Sequence, residues 1–267
     1  MCRLLGIVSS EPTDFRIVLR EAPLSMAALS KEHRDGWGIA VFDPERHGWC
    51  VEKGAACACE DDRFHQLAVG SRGQLLVAHI RQKTVGETSL ANTHPFERGQ
   101  WVFAHNGTVK DVGWLRSNSS CERLAEIAGE TDSELLFAWV LTRLDDAGVA
   151  AQPASDATDR ALGAAVRVAR DHAGFGAFNF LLSDGTTTYA HRHGRTLHLL
   201  DRGPRDEVRI RRTAHDGTVF ETPWSEQRLA VFIASERMTD EPWQRVEDGT
   251  LLRIDRFPVP HWRLVAA

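Results

Sequence analysis

A cysteine at the second position of a chain is a particular kind of nucleophile. Once Met1 is removed, as expected when the following residue is small, Cys2 carries a thiol and a free α-amino group on one residue. An α-amino group titrates near ~7.7–8.0, so part of it is unprotonated at neutral pH and can take the thiol proton directly or through a water. No separate catalytic histidine is then required. Taken alone, a cysteine here also reads as an early strand residue and nothing more, so its meaning depends on what the rest of the chain supplies.

Three other segments supply partners. In Val102-Phe103-Ala104-His105-Asn106-Gly107-Thr108 a strand ends in Asn-Gly, where the Asn106 amide and the Gly107 N–H can point at one spot and form an oxyanion hole. The ordinary alternative is an Asn-Gly turn. In Ala78-His79-Ile80-Arg81 a strand delivers a guanidinium to its end, where it can grip a carboxylate in bidentate fashion or sit in a surface ion pair. In Gly129-Glu130-Thr131-Asp132-Ser133-Glu134 a carboxylate falls at the start of a helix, and Asp132 by itself reads as dipole-favourable capping.

Elements must bring these residues together. Short apolar runs rich in β-branched and aromatic residues at 4–8, 37–42, 75–80 and 101–104 read as buried strands. Residues 15–29 and 64–69 have mixed helical character, with Pro23 breaking the first stretch in two. A clear helix begins after Thr131, with Glu134 completing a capping box, and runs through Leu144 to a stop at Gly148. Residues 150–158 read as a connection and 159–172 as a second helix. Strands follow at 178–182 and 187–191, about the turn Ser183-Asp184-Gly185, and again at 197–200, 229–234 and 251–254. Strands at both ends with helices between them favour antiparallel sheets over a doubly wound parallel one. The 267 residues read as one domain, without internal repeat or long linker.

Taken together and in order, these segments resemble the class II glutamine amidotransferases, a branch of the N-terminal nucleophile hydrolases. The matching stretches are Met1-Cys2-Arg3-Leu4-Leu5-Gly6, His33-Arg34-Asp35-Gly36-Trp37-Gly38-Ile39, Ala78-His79-Ile80-Arg81, Asn92-Thr93-His94-Pro95-Phe96, Ala104-His105-Asn106-Gly107 and Gly129-Glu130-Thr131-Asp132-Ser133-Glu134. Two later stretches, from Phe178 to Gly185 and from Ala234 to Thr239, also look like the family, so the likeness spans nearly the whole chain. It is similar both to the stand-alone YafJ-like group and to amidohydrolases of the EgtC type.

The resemblance implies an α+β fold, a four-layer αββα sandwich of two antiparallel sheets flanked by helices, with Cys2 opening a central strand. It implies that Cys2 attacks the γ-carboxamide of L-glutamine while Asn106 and Gly107 hold the oxyanion. Arg81 and Asp132 would bind the substrate α-carboxylate and α-ammonium, with Thr84 assisting the carboxylate. Ammonia leaves, and water hydrolyses the γ-glutamyl thioester to glutamate. Where several such enzymes have tryptophan just after the arginine this chain has Gln82, and Val85 stands where some have histidine, so a larger γ-glutamyl amide is a second expected substrate. Trp37 and His94 join Gln82 and Val85 as candidate pocket residues, and Asp35 is expected to order its loop. A catalytically idle glutamine-sensing module is the third reading. The chain holds no synthase domain, so an ammonia acceptor or partner synthase subunit is expected elsewhere.

Composition narrows the rest. A formal charge of -5 and a pI near 6.2 offer no reason for binding nucleic acid or an acidic membrane. No stretch approaches the ~20 apolar residues of a membrane span, and no secretory leader precedes Ser9. Five cysteines, odd in number and irregularly spaced, suit a reducing cytoplasm better than a disulfide framework. Cys57-Ala58-Cys59 lacks the CxxC spacing of zinc sites, and Gly36 and Gly38 lack the third glycine of a dinucleotide fingerprint, so neither metal nor cofactor is expected.

Overall fold

The computed structural model describes residues 2–22, 24–203, 210–212, 219–221 and 229–267. In chain order the strands are β1 (Arg3–Asp14), β2 (Trp37–Asp43), β3 (Gly48–Gly54), β4 (Arg72–Ile80), β5 (Phe96–Arg98), β6 (Trp101–Val109), β7 (Gly176–Ser183), β8 (Thr187–His191), β9 (His198–Arg202), β10 (Ile210–Arg212), β11 (Val219–Glu221), β12 (Ala230–Ala234), β13 (Gln244–Arg245), β14 (Leu251–Asp255) and β15 (His261–Val265). The helices are α1 (Met26–Leu29), α2 (Asp62–Gly70), α3 (Val112–Ser117), α4 (Cys121–Ala125), α5 (Asp132–Asp146) and α6 (Asp156–Asp171), with a π-helical turn at Ile17–Glu21.

The strands form a first sheet in the order β13-β9-β12-β1-β4-β2-β3 and a second in the order β15-β14-β8-β7-β6-β5; β10 and β11 pair as a small ribbon. Every pairing is antiparallel. Side chains alternate across each strand, so a strand covered on both faces is apolar at successive positions. In β1, Leu4 and Val8 point between the sheets while Leu5 and Ile7 point outward. In β6, Val102 and Ala104 fill the same central layer, and Trp101 and Phe103 pack outward beneath α5 and α6. The outer face of the first sheet is covered by Phe15, Leu19, Met26 and Phe64, from the π-helical turn, α1, α2 and the start of that region. The result is the expected sandwich: helices, sheet, sheet, helices, with three apolar layers between them.

α5 shows why its sequence is apolar almost all round. Twelve of its fifteen residues are buried, because it lies on β6 and also meets α3, α4 and α6. Thr131 caps it as expected, accepting from the Glu134 N–H at 3.2 Å. Glu134 does not return the bond as a capping box would. Its carboxylate accepts from Ala128 and Gly129 N–H at 3.0 and 2.7 Å and ties down the preceding loop.

Other readings need correction. The stretch 150–158 is not all connection, since α6 already starts at Asp156. β3, β5 and β15 lacked a strong enough apolar pattern to be read from sequence; β5 has three residues, and β15 has only Val265 buried. Pro23 lies outside the described residues, although the break it predicts does separate the π-helical turn from α1. The cysteine reading is also incomplete: Cys57 and Cys59 are joined by a disulfide, while Cys2, Cys50 and Cys121 are free. No helix among the described residues is long and apolar enough to cross a membrane.

Candidate active site

Cys2 immediately precedes β1, which lies between β12 and β4 in the first sheet. Because Arg3 pairs with Ile80, Cys2 stands beside Arg81 where β4 ends. The backbone of Gln82 then wraps the sulfur: its N–H donates to Cys2 Sγ at 3.3 Å, and the thiol donates to its carbonyl at 3.4 Å. Burial pushes the thiol pKa up, against the lowering pull of the Gln82 N–H and the Arg81 charge; Asp132 pushes it up further. A thiol held protonated in this way needs a base beside it. Met1, on whose removal the α-amino base depends, lies outside the described residues.

Arg81 is 3% exposed. Its guanidinium donates to the carbonyls of Glu87 and Val85 at 3.1 and 3.0 Å, so it holds its own following loop in place. Among the described residues it forms no salt bridge, and its charge is left available to a bound carboxylate. Asp35 braces the same segment as expected: it accepts from the Lys83 N–H at 2.8 Å, and its own N–H donates to the Arg81 carbonyl at 3.3 Å. Thr84 and Val85 are exposed on the loop, and Gln82 acts here through its backbone.

The opposite wall belongs to the second sheet. Asn106 is 4% exposed, and its side-chain amide has no hydrogen-bond partner among the described residues. It follows Ala104 by two along β6 and so faces the central layer, towards the first sheet. Gly107 is required where it stands: a Cβ there would lie 1.9 Å from the Ala177 carbonyl oxygen on β7. Asp132, at the first turn of α5, accepts from the Val109 N–H at 2.7 Å, pinning the helix to the end of β6. It too forms no salt bridge among the described residues.

Three buried histidines lie beside these walls, His79 on the central face of β4 and His105 turned outward to α5. His79 donates from Nε2 to the His105 carbonyl at 3.1 Å, and its ring lies 4.2 Å from that of His94. His105 Nδ1 meets Ser133 Oγ at 2.8 Å. Burial lowers all three pKa values, that of His79 to about 3, so the rings are neutral. The candidate pocket residue His94 therefore belongs to this cluster, and both its nitrogens lack hydrogen-bond partners among the described residues. Trp37 is elsewhere. It pairs with Ile80 and shares its outward face, packs on Phe64 at 5.1 Å and donates to Asp61 at 2.8 Å. Its neighbour Gly38 faces the central layer instead, where a Cβ would meet the His94 carbonyl oxygen at 2.0 Å.

The structure thus brings together Cys2, Gln82 and Arg81, with Asp132 within electrostatic reach of the thiol, sets Asn106 on the central face of the opposite sheet with Gly107 next to it, leaves Thr84 and Val85 on the rim, and puts Trp37 on the far face of the first sheet. Sequence reading missed Glu134 as the anchor of the 128–129 loop and Asn92, which donates to the Glu87 carbonyl at 2.9 Å and accepts from the Glu130 N–H at 2.7 Å. It also missed the roles of His79 and His105. The available signal was their spacing, since each lies one or two positions before a site residue on an apolar strand. Among the described residues, no group of three or more His, Cys, Asp or Glu side chains could hold a metal ion.

A half-buried thiol, an amide on the opposite sheet without a partner among the described residues, and one cation and one anion that form no salt bridge among those residues suit nucleophilic attack on the amide of a small zwitterion. Comparison with known proteins agrees: the model of the family described as glutamine amidotransferases class-II matches residues 1–257, and the chain belongs to that family. YafJ of Escherichia coli strain K12, named by inference as a glutamine amidotransferase, is 27% identical over 265 residues, covering 93% of this chain and 95% of its own. The γ-glutamyl-hercynylcysteine sulfoxide hydrolase of Mycobacterium tuberculosis (CDC 1551) is 30% identical over 215 residues, covering 76% of this chain and 81% of its own. A crystal structure of a predicted glutamine amidotransferase from Pseudomonas aeruginosa superposes with a TM-score of 0.64 at 25% identity, over 94% of this chain and 96% of that one. The family is an enzymatic one, with γ-glutamyl hydrolases among its members.

Proposed function

We propose that the chain hydrolyses the γ-carboxamide of L-glutamine, releasing ammonia and glutamate through a γ-glutamyl thioester on Cys2. The observation that carries the reading is the placement of Arg81 and Asp132, both within electrostatic reach of the Cys2 thiol and neither in a salt bridge among the described residues. A free amino acid presents one carboxylate and one ammonium, and one fixed cation and one fixed anion would orient it with its side-chain amide towards the sulfur. The α-amino group of a processed Cys2 takes the thiol proton, and Sγ attacks the amide carbon. The Asn106 amide and the Gly107 N–H hold the oxyanion. The proton passes to the departing nitrogen, ammonia leaves, and water cleaves the thioester to glutamate while restoring the thiol. The ammonia released would pass to an acceptor or a partner synthase subunit; a cytoplasmic setting suits a free catalytic thiol.

A second reading is hydrolysis of a larger γ-glutamyl amide. It is favoured by the open rim, where Thr84 is exposed and Val85 is 41% exposed, and by the likeness to the mycobacterial sulfoxide hydrolase. The test is glutamate release from L-glutamine and from a panel of γ-glutamyl amides and peptides, beside a Cys2→Ala variant. Glutamine turnover that vanishes in the variant supports the first reading, and cleavage of peptides alone supports the second. If glutamine binds and raises Tm without turnover by protein of processed mass, both fail and the chain is a glutamine-sensing module.

A further inference from the structure

We infer that His79 is a positioning residue of the active site, its ring N–H fixing the backbone of the strand that carries Asn106 against the strand that carries Arg81. This rests on the reading of Asn106 as an oxyanion donor.

The central layer between the sheets is apolar, and on β4 the residues sharing its face with His79 are Leu75 and Val77. Across the first sheet His79 is paired with Leu4 on one side and Gly38 on the other. A histidine here is the exception. Its Nε2 lies 3.1 Å from the His105 carbonyl oxygen on β6 in the opposite sheet, with both residues buried. A carbonyl oxygen only accepts, so the hydrogen is on Nε2, and Nδ1 remains a buried lone pair without a partner among the described residues. Leaving that acceptor unsatisfied costs folding energy that leucine at this position would not. The bond it secures has a defined location: it starts two residues before Arg81 and ends on the residue immediately before Asn106.

Position matters there because Asn106 has no other means of being aimed. Its amide makes no hydrogen bond to any described residue, so the place of Nδ2 follows the β6 backbone alone. That backbone is tied to α5 through His105 Nδ1 and Ser133 Oγ, and through the Val109 N–H and Asp132. Neither tie reaches the first sheet, where Cys2 lies. The His79 bond does, and it sets the distance between nucleophile and oxyanion donor. With burial holding the ring neutral beside His94, His105, Arg81 and Lys53, the tie persists across the working pH range.

The experiment compares wild type, His79→Leu, His79→Gln and His79→Asn in steady-state hydrolysis of the γ-glutamyl amide that wild type turns over best. Alkylation of Cys2 by iodoacetamide, which needs no oxyanion hole, and Tm are measured alongside. Expected for Leu is a fall in kcat of about 10–100-fold, the scale of a small misplacement of reacting groups, with KM and the alkylation rate unchanged. Gln places an amide N–H near the Nε2 position and should recover most of kcat; Asn is too short and should not. Should the Leu variant fail to fold, the Gln and Asn pair gives the same contrast with a polar side chain in both. Equal kcat in Gln and Asn, an unchanged kcat throughout, or a loss confined to KM overturns the role while leaving the proposed function standing. A wild type inactive on the whole panel overturns the proposed function, and the role of His79 with it.

Discussion

The two walls of the site are built on different principles. On one side Asn106, Gly107 and Asp132 sit in a central strand and the first turn of a helix buried almost all round, and each is fixed by contacts from elements far away in sequence. On the other side Arg81 is buried but none of residues 82–91 is: Val85 is 41% exposed and Leu90 55% exposed, and the arginine helps to hold the loop beside Asp35 and Asn92. The first wall is finished before substrate arrives. In the second, the group that would receive the substrate carboxylate is the same group that organises the loop, so gripping the ligand and ordering the rim are one event.

The comparison is sharpest where the effect should be largest. Asn106→Ala should reduce kcat by about 10²–10³-fold, the usual result of deleting an oxyanion donor, with little change in KM; a purely KM effect in steady-state assays would break the distinction between the walls. Next, Arg81→Lys and Asp132→Asn should each raise KM by about 10–100-fold, as expected when a charge-assisted bond is removed. Asn keeps an acceptor for the Val109 N–H, so Asp132→Asn should do this without loss of Tm. Glu134→Gln should lower stability by about 1–3 kcal/mol in urea melts, since a buried charged acceptor serving two backbone N–H groups becomes a neutral one. The effect should show as faster amide exchange at Ala128 and Gly129. Smallest of all, Thr84→Ala on the exposed rim should change kcat/KM less than about twofold; a larger loss would give the loop wall a direct share in binding.

The histidines add a prediction about acid. Burial holds His79 and His191 at about 3 and His33 at about 4, against an ordinary 6.5. Below 6.5 the unfolded chain therefore binds protons that the folded one refuses. Stability from these groups is complete above about 6.5 and drains away as pH falls towards 4 and then 3, by up to about 1.4 kcal/mol per pH unit for each fully buried ring. A series of Tm values from pH 7.5 to 4 should fall steadily, and less steeply in His79→Gln.

Local chemistry was legible in the sequence and long-range destinations were not. Thr131 announced a helix start because a cap acts within three residues, whereas Glu134, whose partners lie in the preceding loop, passed as half of a capping box. The αββα layering was recoverable from apolar runs and from the family likeness together. Trp37 was placed at the site because its segment matched, yet alternation along β2 turns it away and gives the central face to Gly38. His79 and His105 were visible only as letters in two motifs. That one ring would bond the other's carbonyl depends on how two sheets stack, which no strand encodes by itself.

The fit around Gly107 bears on how this site could change over generations. With a carbonyl oxygen 1.9 Å from where any Cβ would sit, the position admits no variation, and the neighbouring buried strand and helix tolerate little more. Heritable tinkering with substrate range is thereby channelled onto residues 82–90. One wall is closed to drift, and the other is where a change of ligand can be tried at low risk to the fold.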